Sequence, residues 1–265
     1  MIYDIIERVI FMLNKIVEIV QQAGEIFKSA KNDLQIEQKG SNVNLVTKYD
    51  KEIQDFLITE LKKAVPGANF VGEEGEDNKE LTDGYCFIID PIDGTTNFIK
   101  NFQHSAISVG LAKDKELIIG VVMDPDLDNI FYAEKGKGAY LNGNEIKVSN
   151  CKMSESLVLF GTCPYEHHLA DDTFELAKKV FLECVEVRRC GSAALDICYV
   201  ASGKADLYFE MILRPWDWAG ATLILQEAGG VATTIDGSPL DASEIKSYVC
   251  ANKENIKEFY EILQS

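Results

Sequence analysis

No run of apolar residues in the 265-residue chain approaches the roughly 20 needed to cross a bilayer, so no membrane association is expected. Asp4 and Glu7 stand where a secretory leader carries basic residues, which predicts a cytoplasmic protein. No Cys-x-x-Cys pair occurs. The seven cysteines (Cys86, Cys151, Cys163, Cys184, Cys190, Cys198 and Cys250) are odd in number and scattered, mostly among apolar residues. That pattern predicts reduced thiols, with neither a disulfide frame nor a zinc site. His167 and His168 are adjacent and lack the four-residue spacing of a helical metal pair, so they read as surface residues. Positive charge is scarce: 26 Lys and Arg face 43 Asp and Glu, a formal net charge of -17. Such a surface repels phosphate backbones and argues against direct nucleic-acid binding. A small phosphorylated metabolite fits only if divalent cations first invert the local field.

Internal repeats, low-complexity linkers and breaks in composition are absent as well. The chain therefore reads as a single domain, 1–265, with an N-terminal part (about 1–150) and a C-terminal part (about 151–265) sharing one site. A hydrophobic fraction of 46% and a charged fraction of 26% are those of an ordinary globular protein. The length is enough to bury a large core without disulfides.

What is present begins with apolar residues from Ile2 to Phe27 at three- and four-residue intervals, a long amphipathic helix. Residues 31–44 are polar with little periodicity and read as a mobile loop. Asp50 then occupies an N-cap position before a second amphipathic helix, which Pro66-Gly67 ends. Asn69-Phe70-Val71 reads as a strand, followed by Glu73, Glu74 and an acidic loop. Strands are expected at 106–112, 117–123 and 130–134, with a hairpin turn at Asn142-Gly143. Further strands fall at 156–162, around Arg188-Arg189, at 205–211 and at 247–251. Helices are expected at 174–182, from Gly191-Ser192-Ala193-Ala194 to Ser202, from Asp217 as N-cap to Gly229-Gly230, and at 254–263. The small residues opening at Gly191 serve either close packing or the binding of a hydroxyl or phosphate by free N–H groups.

One stretch organises the rest. Cys86-Phe87-Ile88-Ile89 is a run suited to a strand buried on both faces, and it stops at Asp90-Pro91-Ile92-Asp93-Gly94-Thr95-Thr96-Asn97-Phe98. Asp90 is expected at the strand's mouth and Asp93 in a turn beyond it. Taken alone, Asp-Gly is an ordinary turn, Glu73-Glu74 a solvated pair and Glu210 a charged strand end. Yet Asp50, Glu73, Asp90, Asp93 and Asp217 all stand at strand ends or helix starts, where open α/β sheets place ligands. Carboxylates without thiolate or paired imidazole select hard cations, so Mg²⁺ is expected, with Mn²⁺ as a substitute. Converging carboxylates would otherwise raise one another's pKa.

The Asp90–Phe98 segment resembles the inositol monophosphatase family of lithium-sensitive, magnesium-dependent phosphatases, together with Gly72-Glu73-Glu74 upstream and Trp216-Asp217-Trp218-Ala219-Gly220 downstream. Lys39-Gly40-Ser41-Asn42, Gly191-Ser192-Ala193-Ala194 and Glu227-Ala228-Gly229-Gly230 match in the family's order, so the resemblance spans roughly residues 36–235. It implies an α/β (α+β) fold, a layered αβαβα sandwich of the inositol monophosphatase/fructose-1,6-bisphosphatase type, and a homodimer. It also implies that Glu73, Asp90 and the Ile92 carbonyl bind one Mg²⁺, that Asp90, Asp93 and Asp217 bind a second, and that Glu73 helps to hold a third. Asp50 and Thr95 orient the attacking water, and Gly94 and Thr95 N–H groups hold the phosphate. Asp93, Gly191, Ser192, Ala193, Glu210 and Asp217 face the alcohol, with Lys39, Glu74 and Arg189 in support. The implied activity is hydrolysis of myo-inositol 1-phosphate or a related polyol phosphate. Alternative substrates are fructose 1,6-bisphosphate, NADP, histidinol phosphate and a 3′-phosphonucleotide. The rival of another class is a regulatory protein of a transcription complex.

Overall fold

The computed structural model describes residues 2–31, 36–38, 45–74, 80–242 and 244–264. Helix α1 (Ile2–Ala30) is followed by β1 (Ile36–Gln38), β2 (Leu45–Thr47) and α2 (Lys48–Ala64). Then come β3 (Asn69–Gly72), β4 (Tyr85–Asp93), α3 (Thr95–Lys100), β5 (Ala106–Lys113), β6 (Glu116–Asp124) and β7 (Asn129–Glu134). A hairpin of β8 (Ala139–Leu141) and β9 (Asn144–Ile146) turns at Asn142-Gly143, both at positive φ. The second half comprises β10 (Leu157–Phe160), α4 (Ala170–Phe181), β11 (Glu186–Arg188), α5 (Ala193–Ala201), β12 (Leu207–Leu213) and α6 (Pro215–Glu227). It closes with β13 (Val231–Thr233), β14 (Lys246–Ala251) and α7 (Asn255–Gln264).

Two sheets result. Strands β3 to β9 lie side by side in chain order, antiparallel except for the parallel β3–β4 pair. The second sheet runs β11-β10-β12-β14-β13. Strand alternation sorts the core into layers. Phe87 and Ile89 of β4 pack on α1 and α2, whereas Cys86 and Ile88 face α5 and α6. Tyr208 and Tyr248 of the second sheet meet those same two helices from the other side, while Leu207, Phe209 and Val249 turn outward to α4 and α7. The order is helix, sheet, helix, sheet, helix: the αβαβα sandwich.

Helix α6 lies unusually close to the first sheet because glycine faces glycine. A Cβ on Gly120 would fall 2.1 Å from the Gly220 carbonyl oxygen, and one on Gly220 would fall 2.9 Å from that of Val109. This contact carries the start of α6, and Asp217 with it, against the C-terminal end of β4.

Several expectations are corrected. The polar segment 31–44 contains β1, paired antiparallel with β2; backbone pairing needs no apolar pattern to signal it. Lys39 lies outside the described residues. Helix α4 begins four residues before Phe174, with Asp171 and Asp172 in its first turn, where the helix dipole favours them. Strand β13, half-exposed at a sheet edge, was not foreseen. Asp50 and Asp217 are not N-caps. Each lies in the first turn, the latter at N3, where its Oδ2 accepts the Arg214 N–H at 2.7 Å in a capping box. His167 and His168 lie in an exposed 3₁₀ turn, and all seven cysteines are free.

Candidate active site

The expectation that Asp93 lies in a turn is overturned: β4 continues through it. Asp90 pairs with Ser108 and Asp93 with Ala106, so three steps along β4 match two along β5. Residues three apart on a regular strand point to opposite faces; one extra residue brings both carboxylates to the same face. The Ile92 N–H donates to Asp90 Oδ1 at 3.0 Å and locks the bulge. Gly94 then takes φ +89° and starts α3, which only glycine does without strain. A Cβ there would also meet the Gly191 carbonyl oxygen at 2.9 Å, so glycine permits the two segments to touch.

Other elements converge on this bend. Thr95 Oγ1 donates to Asp50 Oδ1 at 3.3 Å or to the Ile92 carbonyl at 3.2 Å, joining α2 to the bulge. The Glu73 N–H donates to the Ile89 carbonyl at 3.2 Å, placing Glu73 at the same end of the sheet. Glu74 is not among the residues that line the cleft, and its backbone N–H and carbonyl are both bound by the Gln54 side chain. Asp93 Oδ2 accepts from Ser192 Oγ at 2.6 Å and from the Ala194 N–H at 2.7 Å, which ties α5 to β4. Asn97 Nδ2 donates to the carbonyls of His104 and Cys190, at 2.7 and 2.9 Å, and holds the same two segments together.

The cleft formed has a volume of about 240 Å³. Glu73, Asp90, Ile92, Asp93, Gly94, Thr95, Arg189, Gly191, Ser192, Ala193, Glu210 and Asp217 all line it. Asp50 stands behind Thr95 rather than on the wall. Side chains that sequence reasoning did not place there include Tyr165, Tyr208 and Asp196. Tyr208 donates to Glu210 Oε2 at 2.5 Å, while Arg189 donates to the Thr162 side chain and carbonyl. The one sequence signal for this wall was Gly161, where a Cβ would overlap the Glu210 carboxyl.

Crowding of acids dominates the electrostatics. Burial, then the charges of Glu73, Asp93, Asp217 and Asp50, pushes the Asp90 carboxyl well above its ordinary range. Burial, with Asp93 second, raises Asp217 to about 8. Burial raises Asp93 itself to about 6, against the lowering effect of its bonds from Ser192 and Ala194. Burial likewise raises Glu210 to about 8, although the Tyr208 hydroxyl favours its charged form. Glu73, Asp90, Asp93, Asp217 and the Ile92 carbonyl offer oxygen donors only, the chemistry of a hard divalent cation, which would relieve this repulsion.

A layered α/β fold whose strand ends and helix starts gather acidic side chains around one cleft defines a protein that holds hard divalent cations where such sheets bind their ligands. Comparison makes this specific. The model of the inositol monophosphatase family matches residues 11–265. The Nus factor SuhB of Vibrio cholerae is 36% identical over 250 residues, 93% of each chain. Inositol monophosphatase 1 of Bos taurus is 37% identical over 244 residues, covering 89% of this chain and 88% of its own. The IMPase structure of Thermotoga maritima superposes with a TM-score of 0.85 at 30% identity, covering 94% of both chains. The chain belongs to the inositol monophosphatase family, a family of phosphatases.

Proposed function

We propose that the protein is a Mg²⁺-dependent phosphomonoesterase that hydrolyses myo-inositol 1-phosphate or a related polyol phosphate to the free alcohol and inorganic phosphate. The observation that carries this reading is the β4 bulge, which turns Asp90, Asp93 and the Ile92 carbonyl to one face beside Glu73 and Asp217. Those residues would hold two or three Mg²⁺ ions, with Mn²⁺ as a substitute. When bound, the ions neutralise the carboxylates, draw in the phosphate and lower the pKa of water.

The remaining work falls to the chain. Thr95 Oγ1, held by Asp50, directs a lone pair or proton at the attacking water, and the Gly94 and Thr95 N–H groups face the phosphate. Phosphoryl transfer rests on positioning and charge neutralisation, so no covalent link to a side chain is required. Asp217 stands where a proton can pass to the departing alkoxide through water. Glu210, aligned by Tyr208, accepts from a polyol hydroxyl, with Ser192, Ala193 and Arg189 on the same wall.

Turnover of a panel of phosphates tests the choice of alcohol: inositol 1-phosphate, fructose 1,6-bisphosphate, NADP, histidinol phosphate and a 3′-phosphonucleotide. No release of phosphate from inositol 1-phosphate overturns it, and preference for another member selects the alternative. A regulatory binding role is the second reading, supported by the likeness to a Nus factor. A protein partner retained by Asp93→Asn marks that role as separate from catalysis. A cytoplasmic location is consistent with the free cysteines and with the lack, among the described residues, of a helix long and apolar enough to cross a membrane.

A further inference from the structure

Beside the cup, and distinct from it in chemistry, lies a cluster of three different donors. His104 follows α3, Cys190 precedes α5 and Asp196 is in its first turn, so folding brings His104 to the other two. The imidazole Nε2, the thiol sulfur and a carboxylate oxygen all lie within 4.8 Å of one another. His104 Nε2 is 3.0 Å from Asp196 Oδ1. The second oxygen, Oδ2, is fully buried with no hydrogen-bond partner, while the Cys190 thiol and the Gly191 N–H both act on the Asp196 carboxyl. A buried carboxylate oxygen left in this state is costly and calls for a partner.

We infer that His104, Cys190 and Asp196 form a binding site for a borderline transition-metal ion, Zn²⁺ in the first instance, separate from the all-oxygen cup. Mixed nitrogen, sulfur and oxygen donors suit Zn²⁺ and disfavour Mg²⁺. Bonds of about 2.0–2.3 Å place tetrahedral ligands roughly 3.3–3.7 Å apart. The three donors lie within 4.8 Å of one another, so the bound ion would draw the sulfur in by about an ångström. The Cys190 thiol gives its proton to solvent as the sulfur–metal bond forms. His104 coordinates as the neutral ring through the Nε2 lone pair, with its proton on Nδ1. The metal takes the place of that nitrogen's hydrogen bond to Asp196 and supplies the partner that Oδ2 lacks. Asp196 lines the cleft and Cys190 is only half-buried, which gives an entry path and a fourth position for water.

The site would act on its neighbour mechanically. Ser192 and Ala194, which hold Asp93 at 2.6 and 2.7 Å, lie in the turn between Cys190 and Asp196. An ion joining both ends of that turn fixes the support of Asp93.

The test is Co²⁺ titration of the whole protein in excess Mg²⁺, followed by near-ultraviolet thiolate-to-cobalt charge-transfer absorption. One equivalent of Co²⁺ is expected to develop the band, and Zn²⁺ to abolish it by displacement. Cys190→Ser should lose the band while keeping its circular dichroism. His104→Gln should weaken Co²⁺ binding by roughly tenfold or more. Asp217→Asn, which alters the oxygen cup at a side chain bonded to Arg214 rather than to the Cys190–Asp196 turn, should keep the band, so a wrong reading of the phosphatase site leaves this result intact. A band that persists in Cys190→Ser, or that never forms in the wild type, overturns the assignment.

Discussion

Glu210 is a buried acid whose ordinary pKa of 4.5 is pushed up to about 8, mainly by burial. The native protein therefore holds a proton that the unfolded chain has released, and stability falls as pH rises from about 4.5 to about 8. Glu210→Gln keeps an acceptor for Tyr208 and removes the titration. In metal-free buffer its melting temperature relative to wild type should climb across that window and be flat below it. A difference independent of pH counts against the assignment. Asp93 is the opposite kind of residue, fixed by Ser192 and Ala194 and facing the cup. Asp93→Asn should lower kcat by at least about a hundredfold with the fold unchanged, since an amide cannot replace the charge on a cation ligand. Near-normal turnover at saturating Mg²⁺ would remove Asp93 from the metal set.

At the scale of elements, the decisive contact is between α6 and the first sheet. Gly120→Ala places a methyl carbon inside the Gly220 carbonyl group, and the helix must move away from the strand. The expected loss is about 3 kcal/mol or more, at the upper end for overpacked cores, read by denaturant unfolding. Because α6 carries Asp217, catalysis should fall as well. An alanine variant as stable as wild type would show that the close packing is dispensable. The glycines were visible in the sequence, but which of them faced one another was not, because residues 120 and 220 meet only through tertiary packing.

Across the whole molecule, Phe174, Phe181, Leu182 and Val185 are exposed large apolar residues along and just beyond α4. We propose that these residues carry the homodimer that the family resemblance implies, since exposed apolar groups close together in sequence on an acidic surface fit an interaction face. Leu182→Asp adds charge at the most exposed of these positions and should shift the protein to a monomer by light scattering while the sheets remain folded. A monomeric wild type would overturn the homodimer.

The alternation of apolar residues and the glycine and proline breaks were sufficient to place most helices and strands, whereas the layer order and the roles of the site residues came from the family resemblance that the Asp90–Phe98 motif carries. Each is a local pattern, set by the period of a strand or helix and by what a single residue can do at its position. Tertiary structure decided what depends on register and long-range approach. The one-residue bulge turned Asp93 from a turn residue into a strand residue on the face of Asp90. Packing moved Asp50 and Asp217 from the caps into the first turns, and it brought His104 and Asp196, 92 residues apart, to hydrogen-bond distance. No periodicity encodes such a meeting, because it is produced by the summed twist and packing of whole layers rather than by the residues that finally touch.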